Sequence, residues 1–312
     1  MTEKVAVITG SNTGIGKETA VALAAMGMTT VLACRNADKA AAAAAEVRER
    51  AASDAVSVVA LDLSDLASVT SCARHILERW DRLDVLVNNA GGIWSKREES
   101  AQGYEQTFAV NHLGPFALTV LLLDRLKASA PSRIVNLSSF GHHAAVLGMR
   151  WEDLNADRRY TSFGAYAQSK LANILFTRAL AARLDGTGVT ANAVHPGPVR
   201  SGFGMDGDLH GIMRIGNGLV RPLEISPEAG AVTTIHVATA PELEQSSGGY
   251  YARGEPGRMS GHARSLPDAD RLWRVSEQLV AAAGFSLPGW TDVGSVRRPE
   301  VSQVPRAGIP DP

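Results

Sequence analysis

Along the chain, short runs of consecutive apolar, β-branched residues alternate with longer stretches that mix apolar and charged positions at helical spacing. A short continuous apolar run bounded by turn residues is the pattern of a strand buried on both faces, and helices between such strands make the crossovers of a parallel sheet. The expected strands are residues 5–9, 30–34, 56–61, 83–87, 133–137, 189–194 and 249–252. This alternation predicts an α/β fold: one doubly wound Rossmann domain, with a seven-stranded parallel sheet and helices on both faces. Residues 38–52 contain six consecutive alanines, which mark strong helix propensity rather than a low-complexity segment. A second helix is expected over 170–184. Its apolar residues Leu171, Ile174, Leu175, Phe176, Ala179 and Leu180 cover more than the single stripe that packing on a sheet requires. A second buried face predicts a partner helix, and so a homodimer or homotetramer.

Two regions break the rhythm. Residues 201–220 carry six glycines among Phe203, Met205, Leu209, Ile212, Met213 and Ile215, a mixture that suits a mobile lid, about 198–225, over an apolar ligand. Val146, Leu147, Met149 and Trp151 could form the opposing wall. The segment 285–312 holds five of the 14 prolines and is expected to be a poorly ordered tail, which leaves 1–284 as the folded domain.

Composition narrows the function classes. With 45% hydrophobic and 20% charged residues over 312 positions, the chain can build a large core. Lys plus Arg number 31 against 32 Asp plus Glu, so no net field exists to hold nucleic acid or an anionic membrane. Cys34 and Cys72 are the only thiols, which excludes a disulfide framework and fits a reducing cytoplasm. The chain enters its first strand at Val5 and contains no run of 18 apolar residues, so neither a signal peptide nor a membrane anchor is expected.

The candidate chemistry begins at the first strand-to-helix turn, Gly10-Ser11-Asn12-Thr13-Gly14-Ile15-Gly16. Glycines there let backbone approach a pyrophosphate, and the free N–H groups of the following helix attract its charge. The second strand ends Cys34-Arg35-Asn36 without the acid that would bind a ribose 2′-hydroxyl. Arg35 could instead pair with a 2′-phosphate, so NADP(H) is preferred and NAD(H) is the alternative. Further on, Tyr166 and Lys170 stand one turn apart on one helix face. An ammonium near a phenol favours the phenolate and lowers its pKa.

Asn88-Asn89-Ala90-Gly91 closes the fourth strand, Asn111 lies in a helical stretch, and Ser138-Ser139 closes the fifth strand. With the cofactor turn and the Tyr-Lys pair, these elements resemble the short-chain dehydrogenase/reductase superfamily, over about residues 4–284. The resemblance implies an NAD(P)-dependent oxidoreductase with Asn111, Ser139, Tyr166 and Lys170 as the active site, and the expected partner is a small-molecule carbonyl or alcohol that is apolar and fairly bulky. In that scheme Tyr166 exchanges a proton with the substrate oxygen, Ser139 hydrogen-bonds it, Lys170 also holds the cofactor ribose, and Asn111 orders a water. It further implies Asp62 and Leu63 near the adenine, Asn89, Ala90 and Gly91 lining the cleft, and Pro196, Gly197, Val199 and Ser201 on the nicotinamide side. Asn12–Ala20, Ala33-Cys34-Arg35, Ser169–Asn173, Val194–Gly197 and the long interval from Ser139 to Tyr166 are similar to the retinol dehydrogenase-like branch. Other readings are a cofactor-binding regulator or redox sensor without turnover and an epimerase or dehydratase of larger relatives. No metal is expected: His142-His143 lacks an accompanying ligand pattern and reads as a polar loop, and His195 reads as structural.

Overall fold

The computed structural model describes residues 3–199 and 225–288. Among them the chain forms a sheet in the order β3-β2-β1-β4-β5-β6-β7-β8. The strands are β1 (Val5–Thr9), β2 (Thr29–Cys34), β3 (Val56–Ala60), β4 (Val85–Asn88), β5 (Ser132–Leu137), β6 (Val189–His195), β7 (Tyr250–Ala252) and β8 (Glu255–Pro256). All pairs are parallel except β7 with β8. The strand order reverses between β1 and β4, and it is at such a switch point, beyond the carboxyl ends of the strands, that open α/β sheets bind ligands.

Helices α1 (Gly14–Ala25), α2 (Ala37–Ala51) and α6 (Pro227–Thr239) cover one face, around Leu23, Val47 and Val237. Helices α3 (Leu66–Arg79), α4 (Gln106–Ala128), α5 (Ser162–Arg183) and α7 (Leu266–Ala282) cover the other, around Val69, Phe116, Phe176 and Trp273. α4 is long and apolar enough to cross a bilayer, but 89% of its apolar stretch is buried inside the chain, as in a core helix.

The sheet differs from the expected seven strands by the antiparallel edge strand β8. Arg253 and Gly254 both take positive φ, 55° and 79°, and close a two-residue hairpin that pairs Ala252 with Glu255 and Tyr251 with Pro256. Two residues, one of them proline, are too short for an alternation signal.

Two expectations about α5 also change. The helix begins at Ser162 rather than 170, because Thr161 caps it by accepting the Gly164 amide at 3.2 Å. Thr161→Ala is therefore expected to lower stability by about 1 kcal/mol, read as a shift in the urea midpoint at constant slope. The second apolar face is real, but α7 of the same chain covers it. Trp273 stacks on Phe176 at 6.0 Å and meets Phe116 edge-on at 5.0 Å, while Arg183 lies 4.4 Å over the Trp273 ring and pairs with Asp270 at 2.7 Å. The buried face thus needs no partner helix, and the argument for a homo-oligomer loses its basis. The lid residues 201–220, Ser201 among them, and the tail from 289 onward lie outside the described residues.

Candidate active site

β1 delivers the chain into the turn Gly10–Gly16. Gly10 takes φ +65°, and a Cβ there would lie 2.8 Å from Ala90 Cβ, so the turn can lie against the end of β4 only with a bare backbone. Thr9 Oγ1 accepts the amides of Asn89 and Ala90, both at 3.0 Å. Asn89 Nδ2 donates back to the carbonyls of Thr9 (2.8 Å) and Gly10 (3.2 Å). Asn89 therefore ties the two strand ends together with its side chain. Ser11 is likewise turned inward, its hydroxyl donating to the Ile8 carbonyl at 2.8 Å. What the turn leaves for an anion is backbone, with the side chains of Asn12 and Thr13 beside it. Thr13, at the N-cap of α1, makes no side-chain cap bond, and the first turn contains no acid, so the helix start keeps its N–H groups and positive end for a pyrophosphate.

Arg35 is exposed where β2 ends, and among the described residues it makes no ion pair. Gly10 N donates to the Ala33 carbonyl at 2.8 Å, which brings that strand end to the turn. Lys17, in the first turn of α1, is bound to Glu46 at 2.7 Å. At the end of β3, Asp62 Oδ1 accepts the Ser64 amide and hydroxyl at 2.9 and 2.6 Å, and its own amide donates to Ser68 Oγ. Asp62 thus shapes its loop, and Leu63 is buried in the core. Beyond β6, Gly197 takes φ +92°, and Val199 bridges in parallel to Ile225.

The four residues of the expected tetrad converge. Asn111 lies in a single π-helical turn of α4, Ala109–Leu113, a distortion that frequently marks functional sites. Its side chain accepts the Gly92 amide at 2.7 Å and donates to the Gly92 carbonyl and to Ser169 Oγ, each at 2.9 Å. A Cβ on Gly91 would stand 3.1 Å from Asn111 Oδ1 and 3.4 Å from Lys170 Nζ, so both groups approach one point on that backbone. Lys170 Nζ donates to the Leu137 carbonyl at 3.2 Å and sits 5.4 Å from the centre of the Tyr166 ring. Ser139 Oγ accepts the Gly141 amide at 3.1 Å, and its hydroxyl acts on the Tyr166 phenol, favouring the ionised form.

A short chain dehydrogenase family model matches residues 4–151 and 152–208. The chain belongs to the short-chain dehydrogenase family. It is 46% identical over 278 residues to retinol dehydrogenase 12 of Mus musculus, covering 89% of this chain and 86% of the relative. It is 43% identical over 289 residues to retinol dehydrogenase 13 of Homo sapiens, covering 91% and 86%. A solved structure from Mycobacterium Paratuberculosis superposes with a TM-score of 0.71 at 33% identity, covering 91% of this chain and 95% of that one. This short-chain dehydrogenase therefore stands in the retinol dehydrogenase-like branch. It is an NAD(P)-dependent oxidoreductase, an alcohol dehydrogenase acting on CH–OH groups.

The electrostatics of this short-chain dehydrogenase differ from the sequence expectation in one respect. Burial pushes the Tyr166 phenol above its ordinary range, and the group that pulls it back is the Ser139 hydroxyl rather than Lys170. Lys170 is 4% exposed, and burial lowers its ammonium to about 8. In this state its charge faces the Tyr166 ring and the Leu137 carbonyl. His195 accepts the Gly197 amide on Nδ1 at 3.4 Å and is held near 4 by burial, which fits a structural role. His142, expected as a polar loop residue, is instead fully buried beside Ser139. Among the described residues no group of three His, Cys, Asp or Glu side chains is placed to hold a metal. Of the expected wall, Val146 and Leu147 are exposed, but Met149 is buried in the core and Trp151 packs against Arg271 at 4.4 Å.

Proposed function

We propose that this dehydrogenase uses NADP(H) to interconvert an apolar, fairly bulky carbonyl compound and its alcohol in the cytoplasm. The observation that carries the substrate class is a set of exposed apolar side chains on the two segments that carry Ser139 and Tyr166. Phe140, Val146, Leu147 and Phe163 are 65%, 73%, 89% and 52% exposed. Phe140 follows Ser139 directly, and the Phe163 ring lies 6.4 Å from that of Tyr166. Large apolar side chains left in water, Phe140 and Phe163 of them next to the reacting groups, mark a surface that binds an apolar ligand. The retinol dehydrogenases that the chain resembles carry such a substrate in their names, which favours a retinoid or long-chain aldehyde.

The donor set fits a dinucleotide: backbone N–H groups and the positive end of α1 for the pyrophosphate, Arg35 for the 2′-phosphate, Lys170 for the nicotinamide ribose. When bound, the nicotinamide supplies or accepts the hydride at the carbonyl carbon. The chain's own groups handle the proton. In reduction Tyr166 donates from its phenol to the substrate oxygen, and its raised pKa keeps that proton in place at neutral pH. Ser139 donates a hydrogen bond to the same oxygen as charge develops there. Asn111 holds the Gly91-Gly92 backbone against α5, which sets the space beside Lys170. The domain boundaries 1–284 and the lid over 198–225 belong to the same reading.

The test is a panel of butanal, decanal and all-trans-retinal with NADPH and NADH, followed by loss of reduced-cofactor absorbance. Decanal or retinal is expected to exceed butanal in kcat/KM by about tenfold or more, since each buried methylene contributes. Equal values for butanal and decanal would sink the apolar-substrate reading. Arg35→Ala is expected to weaken NADPH alone, by about 1.5–3 kcal/mol for a lost charge-assisted hydrogen bond. Comparable losses for NADH and NADPH would show that Arg35 does not read the phosphate.

A further inference from the structure

The short helical turn Phe140–Ala144 that follows β5 carries Ser139 at its N-cap and His142 at its centre. His142 is 0% exposed, yet both of its ring nitrogens are engaged. Nε2 lies 3.2 Å from the Ser260 amide, which can only donate, so Nε2 is the unprotonated nitrogen. Nδ1 then carries the proton and donates to the Ser139 carbonyl at 2.7 Å. The backbone amide of His142 also reaches that carbonyl, at 3.2 Å. Any residue would supply the amide bond; only the imidazole adds the second donor and at the same time an acceptor for a distant segment.

That segment is the connection from β8 to α7. It is tied to the loop after β5 a second time, where His262 Nε2 donates to the Val146 carbonyl at 3.1 Å. The rings of His143 and Tyr250 pack on His142 at 4.0 and 5.2 Å. Burial first, and His143 beside it, hold His142 near 4, so the ring stays neutral and keeps its single tautomer at physiological pH. Ser139 is thus fixed at two atoms: its carbonyl by His142 and its hydroxyl by the Gly141 amide.

We infer that His142 is a positioning residue for the reaction: by donating from Nδ1 to the Ser139 carbonyl, in the tautomer that the Ser260 amide selects, it sets where the Ser139 hydroxyl meets Tyr166 and the substrate oxygen. It acts through Ser139 and does not touch substrate. The inference rests on Ser139 being the residue that holds the reacting oxygen.

Two amide side chains separate the two bonds. The amide of asparagine ends as many bonds from Cα as Nδ1 does, so His142→Asn keeps the donor to Ser139 and loses the acceptor for Ser260. His142→Gln reaches the Nε2 position, keeps the acceptor and loses the donor. Both are compared with the full-length parent for Tm, NADPH affinity, and kcat and KM with the panel aldehyde that the parent reduces fastest. The expected result is that the glutamine variant loses kcat by about tenfold or more, as small misplacements of a reacting group do, while KM and NADPH affinity change less than about threefold. The asparagine variant should retain most of kcat at a similar cost in Tm. Equal losses of kcat in the two variants, or none in the glutamine variant, would overturn the inference. Nitrogen-15 shifts of the His142 ring in the parent protein provide a readout that needs no variant to fold. They should show a protonated Nδ1 and a bare Nε2 at pH 7, and the opposite tautomer would overturn it as well. Ser139→Ala, run alongside, separates this inference from the assignment beneath it: unchanged turnover there would remove Ser139 from the site, and His142 with it.

Discussion

Replacing Tyr166 with phenylalanine is expected to leave NADPH affinity within about threefold of the parent and to lower turnover by at least ~10²-fold. The ring volume is preserved, so the packing around it survives. What disappears is the phenol hydroxyl on which Ser139 acts. The raised pKa also gives the two directions different pH dependence. Reduction needs the phenol and should run on a plateau through neutral pH, whereas alcohol oxidation needs the phenolate and should rise with pH as the phenol ionises. Initial rates in both directions between about pH 6 and 10, with cofactor affinity measured separately, check this result. Near-native turnover in Tyr166→Phe, or identical profiles in the two directions, would remove Tyr166 from the proton transfer.

Lys170→Met is expected to be both inactive and more stable than the parent. Lys170 is 4% exposed, and burial lowers its pKa from 10.5 to about 8. The folded state therefore carries a penalty wherever the ammonium must stay charged, about 3 kcal/mol at pH 7. The sign follows from proton counts. Between about pH 8 and 10.5 the unfolded chain holds a proton on this lysine that the folded chain has released, so stability rises with pH across that window. Below 8 the whole penalty is present. Methionine fills a similar volume without charge, so the variant should gain stability at pH 7 and lose the rise above pH 8. Urea midpoints of parent and variant from pH 7 to 10.5 test both statements. A variant less stable than the parent at pH 7 would mean that the Leu137 carbonyl and the Tyr166 ring more than compensate the buried charge. The same variant should lose turnover, because methionine cannot make the hydrogen bond to the nicotinamide ribose proposed for this ammonium. A site that costs the empty protein stability is a common trade in enzymes.

The parts of this protein that were legible in its sequence are those governed by short chain separations. Strand–helix alternation follows from the periodicity of the two backbone forms, so a doubly wound, mostly parallel sheet was predictable, though not its strand order. The turn from Gly10 to Gly16 and the one-turn spacing of Tyr166 and Lys170 are local geometry, and both stand where expected. What lies far along the chain had to be supplied by packing. The apolar excess on α5 foretold a covering helix, but only the tertiary structure decided that the cover is α7, about a hundred residues later, rather than another subunit. Ser11 and Asn89 carry polar side chains that suit a cofactor as well as a backbone, and burial decided for the backbone. His142 looked like a polar loop residue because nothing near it in sequence reveals Ser260. The charges changed most. A Tyr-Lys spacing fixes proximity, whereas the direction of a pKa depends on how much water remains, and water is excluded by residues from every part of the chain. The sequence by itself determined which groups meet at the mouth of the sheet; the tertiary structure decided how dry they are, which partners they already hold, and hence which of them is free to react.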